Sequence, residues 1–190
     1  MKRIISTLLI MVFLIGLMPT VAFATTNEFA GGSGTESDPY LIETKYHLDN
    51  VRNYLGSNFK IIADIEFTDA DFTEGGEFYN DGNYWIPIGQ DESSEFTGVF
   101  DGDGHYIKNI KSFGTSSKNC VLGVFGYCSG WIKNLEIYEG IIEAISTSNS
   151  SSYSADAGAV VGRLLDDGRV ENCKNSAIIN ASSESFYANS

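Results

Sequence analysis

Asp101-Gly-Asp-Gly104 is the segment of this chain that most invites chemistry, because alternating carboxylates chelate hard cations. A calcium loop of the EF-hand kind also needs a bidentate Glu at its twelfth position, and counting from Asp101 that position is Ser112. The expected role of the segment is therefore a tight β-turn. Asp64, Asp69 and Asp71 form a second set of neighbouring acids that is equally short of a ligand set. The two histidines, His47 and His105, fall on a predicted helix and just after the Asp-Gly turn. A hydrolytic triad needs a nucleophile, a base and an orienting acid in contact, and no nucleophile-elbow pattern accompanies either histidine. Carboxylate pairs of the kind glycosidases use are too plentiful among 25 acids for any one pair to carry information.

Arg163 and Arg169 could supply the basic residue of a β-helical lyase, yet the chain is short for the long groove such an enzyme presents. Phe72, Phe78, Tyr79, Tyr84 and Trp85 form a local aromatic concentration, and Trp131 stands alone later. Exposed aromatics stack on sugar rings, whereas Trp85, inside an apolar run, is expected to pack in the interior. Cys120, Cys128 and Cys173 allow at most one disulfide, and none of their spacings is Cys-x-x-Cys, so zinc and thiol-exchange chemistry have no support. Cys173 reads as a small buried hydrophobe. The expectation is a chain without catalytic residues, metal or cofactor.

The elements that would position these residues begin after a leader. Lys2 and Arg3 precede an apolar run from Ile4 to Leu17, Pro19 breaks it, and Ala22-Phe23-Ala24 places small residues where signal peptidase cuts. Cleavage after Ala24 is expected, and the run falls short of the ~20 residues of a membrane span. No Cys follows the run, which argues against a lipid anchor. The mature chain, Thr25 to Ser190, carries a formal charge of −15 once Lys2 and Arg3 are removed from the −13 of the whole. That balance repels nucleic acid and anionic lipid, so neither is an expected partner, and it suits solubility outside the cell.

Residues 25–57 read as a polar lead-in, a turn and short strand at Asp38-Pro-Tyr-Leu-Ile42, and one amphipathic helix from about Lys45 to Leu55. Thr44 is the candidate N-cap and Gly56 the glycine that would end the helix. From Asn58 the pattern turns β-like: Phe59, Ile61, Ala63, Ile65 and Phe67 alternate with more polar residues, with a slip at Ile62. Thr68 to Asn83 reads as a loop or insertion, with strand signals at Tyr84 to Ile88 and Phe96 to Phe100.

An internal repeat follows. Gly104-His-Tyr-Ile107-Lys-Asn109-Ile110, Gly130-Trp-Ile132-Lys-Asn134-Leu135 and Gly168-Arg-Val170-Glu-Asn172-Cys173 share a pattern, with the asparagines 25 and then 38 residues apart. Repeats of this size cannot bury their apolar side alone and do so by stacking. Ile107, Ile132 and Val170 would form one interior ladder, and Ile110, Leu135 and Cys173 a second. Asn109, Asn134 and Asn172 would bond neighbouring rungs at a turn, with Ser146 to Asp156 bulging from one corner. Residues 58–190 thus read as an all-β solenoid of about three to four rungs with a short N-terminal capping helix. Ser176 to Ser190 offers no C-terminal cap, so the natural protein is expected to continue into more rungs.

These residues resemble the GLUG-motif repeat proteins. The closest match runs from Gly158-Ala-Val-Val-Gly162 to Gly168-Arg-Val-Glu-Asn172-Cys173. Gly34 to Ile42, Trp85-Ile-Pro-Ile-Gly89 and Phe96 to His105 are similar to the section that precedes such repeats. Arg163 directly after the Gly162 lead and the Asp101-Gly-Asp-Gly104 turn depart from the pattern. The resemblance implies a right-handed β-helix-like solenoid on an exported bacterial surface protein, and no single activity. The expected function is a non-catalytic surface module that binds extracellular glycan or protein, or spaces other domains from the cell. A secreted carbohydrate-active enzyme on a β-helix is the alternative.

Overall fold

The computed structural model describes residues 28–148 and 150–183, so the leader with Ala22 and Ala24 lies outside the described residues. The described chain opens with β1 (Tyr40–Ile42), α1 (Lys45–Asn50), β2 (Asn58–Ile61) and β3 (Ile65–Glu66). Thr44 caps α1 as expected: its backbone is extended, and its hydroxyl accepts a hydrogen bond from the His47 N–H at 3.2 Å. Leu48 and Val51 are fully buried beneath the helix. The helix is shorter than the spacing predicts. Its α geometry stops at Asn50, and a 3₁₀ turn over Val51–Asn53 replaces the run to Leu55 and the Gly56 stop. Asn and β-branched Val are weak helix formers. Arg52 also turns away to donate to the Ile86 carbonyl at 2.9 Å and lies 5.2 Å from the centre of the Trp85 ring, which ties this turn to the segment beneath it.

From Val99 the chain runs in circuits. β4 (Val99–Asp101), β5 (Tyr106–Lys108), β6 (Lys111–Ser116), β7 (Cys120–Leu122) and β8 (Phe125–Cys128) make the first. β9 (Trp131–Lys133), β10 (Glu136–Tyr138), β11 (Ile141–Ser146), β12 (Ala155–Ala157) and β13 (Val161–Leu164) make the second. β14 (Arg169–Glu171), β15 (Lys174–Asn175) and β16 (Ile178–Ser183) begin a third. Each strand pairs in parallel with the strand at the same place in the circuit before it. The result is one five-stranded ladder, β1-β2-β4-β9-β14, beside ladders of four, three, two and two strands. The protein is therefore β-rich, with one short α-helix among the described residues.

Strand pleating sends alternate residues inward, and parallel register stacks like on like. Phe59, Phe100, Ile132 and Val170 form one inward column, and Ile65, Ile107 and Ile137 another. Every member except Val170 is at most 1% exposed; Val170, on the last circuit, is 42% exposed. This corrects the ladder drawn from the repeat alignment. Ile107 stacks on Ile65 and Ile137, not on Ile132, whose upper neighbour is Phe100. Ile110 likewise sits at the corner that Gly140 occupies one circuit on, while Leu135 and Cys173 do share a position. The slip at Ile62 marks a corner between β2 and β3: Ile62 is 40% exposed while Phe59, Ile61, Ile65 and Phe67 are buried.

Thr68 to Asn83 is more than a surface insertion. Phe72 and Phe78 are buried and pack on Phe67, with ring centres 5.4 and 5.1 Å away, and Trp85 is buried as expected with its indole N–H donating to the Val124 carbonyl at 3.0 Å. Asp71, buried in this segment, pairs with Lys45 on α1 and accepts from the backbone N–H and hydroxyl of Thr68. The N-terminal side of the stack is closed by this aromatic packing together with the lead-in, whose Ala30 N–H and Gly31 carbonyl bond Leu41 at 2.9 Å each. The segment expected as a strand at Tyr84 to Ile88 makes only isolated bridges, Tyr84 with Ser112 and Ile88 with Phe125.

Candidate functional site

Because the interior columns take the apolar side chains, the outward positions of the five-stranded ladder carry the chemistry. One outward column runs Lys60, Asp101, Lys133, Glu171, and its neighbour runs Asn58, Val99, Trp131, Arg169. Charge alternates along the first column, which stabilises a parallel stack by a few tenths to about 1 kcal/mol per opposed pair. Lys133 Nζ lies 3.1 Å from Asp101 Oδ2, and Lys60 Nζ lies 2.9 Å from Asp103 Oδ2. Between the columns lies a groove of about 390 Å³, lined by Asn58, Lys60, Val99, Asp101, Trp131 and Lys133, with Glu36 and Pro39 at one end. Trp131 is half-buried, its ring 4.7 Å from Lys133 Nζ, and its indole N–H is buried without a hydrogen-bond partner among the described residues.

The Asp101-Gly-Asp-Gly104 segment is a turn, as expected. Asp103 and Gly104 both have positive φ, 51° and 86°, and the His105 N–H donates to the Gly102 carbonyl at 2.8 Å, the arrangement of a type I′ turn. Its carboxylates are engaged by the two lysines, and among the described residues no group of three or more His, Cys, Asp or Glu is gathered to hold a metal. Asp101 also terminates an amide chain. Asn172 Nδ2 donates to Asn134 Oδ1 at 2.8 Å, and Asn134 Nδ2 donates to Asp101 Oδ1 at 2.9 Å. The asparagine ladder thus joins successive coils, with Asp101 in the place expected for Asn109. Asn109 serves the next corner, donating to the Phe67 carbonyl at 3.1 Å. Asn109, Asn134 and Asn172 all have φ between 51° and 56°, a left-handed conformation that Asn tolerates.

Gly130 and Gly168 occupy equivalent corners with Gly98, rather than Gly104, as the member above them. A Cβ on Gly130 would lie 2.3 Å from the Gly98 carbonyl oxygen. Of the other acids, Asp69 pairs with Lys111 at 2.7 Å, and Asp64 lies 2.8 Å from His105 Nδ1. His47 faces the helix start, where its Nδ1 accepts the Glu43 N–H at 3.2 Å. Arg163 bonds Asp156 at 2.6 Å and Ser154 at 2.7 Å, pinning the serine-rich loop back onto the stack, while Arg169 continues the Trp131 column. All three cysteines are free thiols. Burial pushes the Cys128 thiol up to about 11 and raises those of Cys120 and Cys173, so none is a ready thiolate at neutral pH.

Asp101 predicts an acid limit. Burial works to raise its pKa, but hydrogen bonds from Asn134 and the Asp103 N–H and the Lys133 ammonium outweigh burial and hold it below the usual carboxylate value. A carboxyl depressed in the folded state contributes stability that is present above its unfolded pKa, about 3.9, and is lost as pH falls through the folded value. Asp71, lowered by Lys45 and Thr68 against its burial, acts in the same direction. Asp101→Ala is expected to lose about 1.5–3 kcal/mol at pH 7, and to show a shallower loss than wild type between pH 4 and pH 2, measured by urea unfolding at each pH. An equal acid slope would show that Asp101 does not carry this dependence.

No family model matches the chain. A protein of Evansella cellulosilytica described as a Gly-rich membrane protein is 37% identical over 147 residues, covering 72% of this chain and 16% of that protein. Halomucin of Haloquadratum walsbyi is 33% identical over 137 residues, covering 69% of this chain and 1% of that protein. The chain spans a small fraction of the length of both relatives. A solved Bacteroides ovatus protein described as an immunoglobulin A1 protease superposes with a TM-score of 0.46 at 19% identity, over 83% of this chain and 66% of that one. No helix among the described residues is long and apolar enough to cross a membrane.

Lys60, Asn58 and Lys133 were not singled out by sequence. The signal was their place as the polar partners of buried Phe59 and Ile132 in alternating strands, legible only once the register is known. Trp131 was visible as a lone aromatic.

Proposed function

We propose that this chain is a non-catalytic, exported surface module of the GLUG-repeat type, built as a right-handed β-helical solenoid that presents its outward ladders to extracellular glycan or protein. The observation that carries this reading is the circuit itself. The chain visits the same five ladders in the same order, buries apolar columns inside, and leaves a regular lattice of polar and aromatic side chains on each face. Such a lattice is a display surface rather than a single deep cleft. Right-handedness follows from the strong preference of strand–crossover–parallel-strand connections for that hand. The names of the two relatives, a membrane protein and a halomucin, support a place at the cell surface, and the acidic mature chain suits that medium.

Arrays of glycans and extracellular matrix proteins, probed with the mature chain, are expected to return reproducible binding, with no depolymerisation in a parallel polysaccharide screen. Turnover that a single carboxylate substitution abolishes would overturn the reading in favour of a carbohydrate-active enzyme.

A further inference from the structure

We propose that the groove over β2, β4 and β9 takes a neutral glycan, with a pyranose ring seated against Trp131. This rests on the surface-module reading and names the ligand class of its best-formed face. The groove has the two parts a sugar site needs, an aromatic wall and a set of polar side chains at its rim. Trp131 is the wall; Asn58, Lys60, Asp101 and Lys133 are the rim.

Charge decides between neutral and acidic sugars. Lys133 is committed to Asp101 and Lys60 to Asp103, so neither ammonium is free for a uronate or sialate carboxylate without stranding an acid. The mature chain as a whole carries −15 and repels polyanions at long range. Sugar hydroxyls, by contrast, both donate and accept, and so bond Asp101 and Lys133 without breaking the pair.

The unpartnered Trp131 N–H supplies the second observation. An indole N–H only donates, and leaving it buried and unpaired costs about 1–3 kcal/mol. Trp131 is half-buried with its N–H enclosed and Lys133 Nζ 4.7 Å from its ring centre, so seating the sugar requires the ring to turn, which brings that donor to a ligand hydroxyl. A bound pyranose thereby satisfies a group that the described residues leave unsatisfied.

The test is calorimetric titration of the mature chain with cellohexaose, mannohexaose and hexagalacturonate, at low salt and at 0.5 M NaCl. Binding of a neutral hexasaccharide that is unchanged by salt, and weakened about tenfold by Trp131→Ala but not by Tyr138→Ala on the neighbouring ladder, is the expected result. If Trp131→Ala unfolds, Trp131→Phe, which keeps a ring but removes the N–H, is expected to weaken binding about threefold. Binding restricted to hexagalacturonate and lost in salt, Trp131 variants that bind as wild type does, or no binding of any of the three sugars would each overturn the proposal. None of these outcomes overturns the surface-module reading, which is tested separately by the arrays of glycans and matrix proteins and by the screen for turnover.

Discussion

Gly130→Val is expected to abolish the cooperative unfolding transition of the mature chain, a loss beyond about 4 kcal/mol. A Cβ at Gly130 would lie 2.3 Å from the carbonyl oxygen and 3.0 Å from the nitrogen of Gly98, and 2.8 Å from the carbonyl carbon of Thr97. Those are backbone atoms of the neighbouring coil, so no side chain can swing aside to relieve the contact. The backbone N–H of Trp131 donates to that same Gly98 carbonyl at 2.9 Å, and the backbone N–H of Arg169 to the Gly130 carbonyl at 2.9 Å, so separating the coils here breaks the ladder above and below. Gly56→Ala is the control. Its new methyl group would meet only Thr97 Oγ1, at 3.5 Å, and the change is expected to stay within about 0.5 kcal/mol. Thermal unfolding followed by circular dichroism checks both.

Phe100→Ala should destabilise the chain by about 3–5 kcal/mol, the range for emptying a buried aromatic site. Phe100 is fully buried, between Phe59 above it at 6.2 Å and Phe125 across the interior at 5.2 Å, edge to face. Neighbouring strands fix these rings, so the cavity cannot collapse cheaply. Val170→Ala, at the equivalent inward position two coils further on, should lose less than about 1 kcal/mol, because that side chain is already 42% exposed. Urea unfolding of the two variants measures the contrast. Equal losses would mean that the last coil is packed as tightly as the first, contrary to the exposure of Val170, Leu164 and Ile178.

The repeat, the cap and the fold class were legible because each leaves a local mark. Thr44 before an amphipathic run, alternation from Phe59 to Phe67, and the recurring Gly-to-Asn segment are all patterns that a single coil imposes on its own residues. The vertical register was only half legible, and Ile107 shows why. Two successive corners of one coil both take left-handed backbone and both carry asparagine: Asn134 and Asn172 at one, Asn109 at the next, where Glu139 follows one coil on. Matching letters aligned Asn109 with Asn134 and shifted the first unit by one face. The true equivalent, Gly98-Val-Phe100-Asp-Gly102, has Gly102 where the later coils have Asn134 and Asn172, and Asp101, one residue earlier, accepts the Asn134 amide, so the motif is hidden.

The groove was less legible still. Its rim joins Asn58, Asp101 and Lys133 from three coils, and their proximity depends on loops of unequal length between β2, β4 and β9. Of the aromatic concentration, Phe72, Phe78 and Trp85 are interior packing, as expected for Trp85, and Tyr79 and Tyr84 are half-buried, whereas the isolated Trp131 faces the groove. An aromatic flanked by charged residues at alternate positions of a strand faces outward, and one embedded in an apolar run faces inward.

The charge-alternating column connects the stability of the stack to its surface chemistry. Lys60, Asp101 and Lys133 are each placed by a buried neighbour of the same strand, and Glu171 by the partly exposed Val170, so the display face is only as regular as the interior ladder beneath it. A crystal structure of residues 25–190 tests that dependence most directly. The predicted result places the Ile132 Cα about 4.8 Å from that of Phe100 and the Ile137 Cα at the same spacing from Ile107, all in parallel strands. Ile132 beside Ile107, or strands of successive coils running antiparallel, would contradict it.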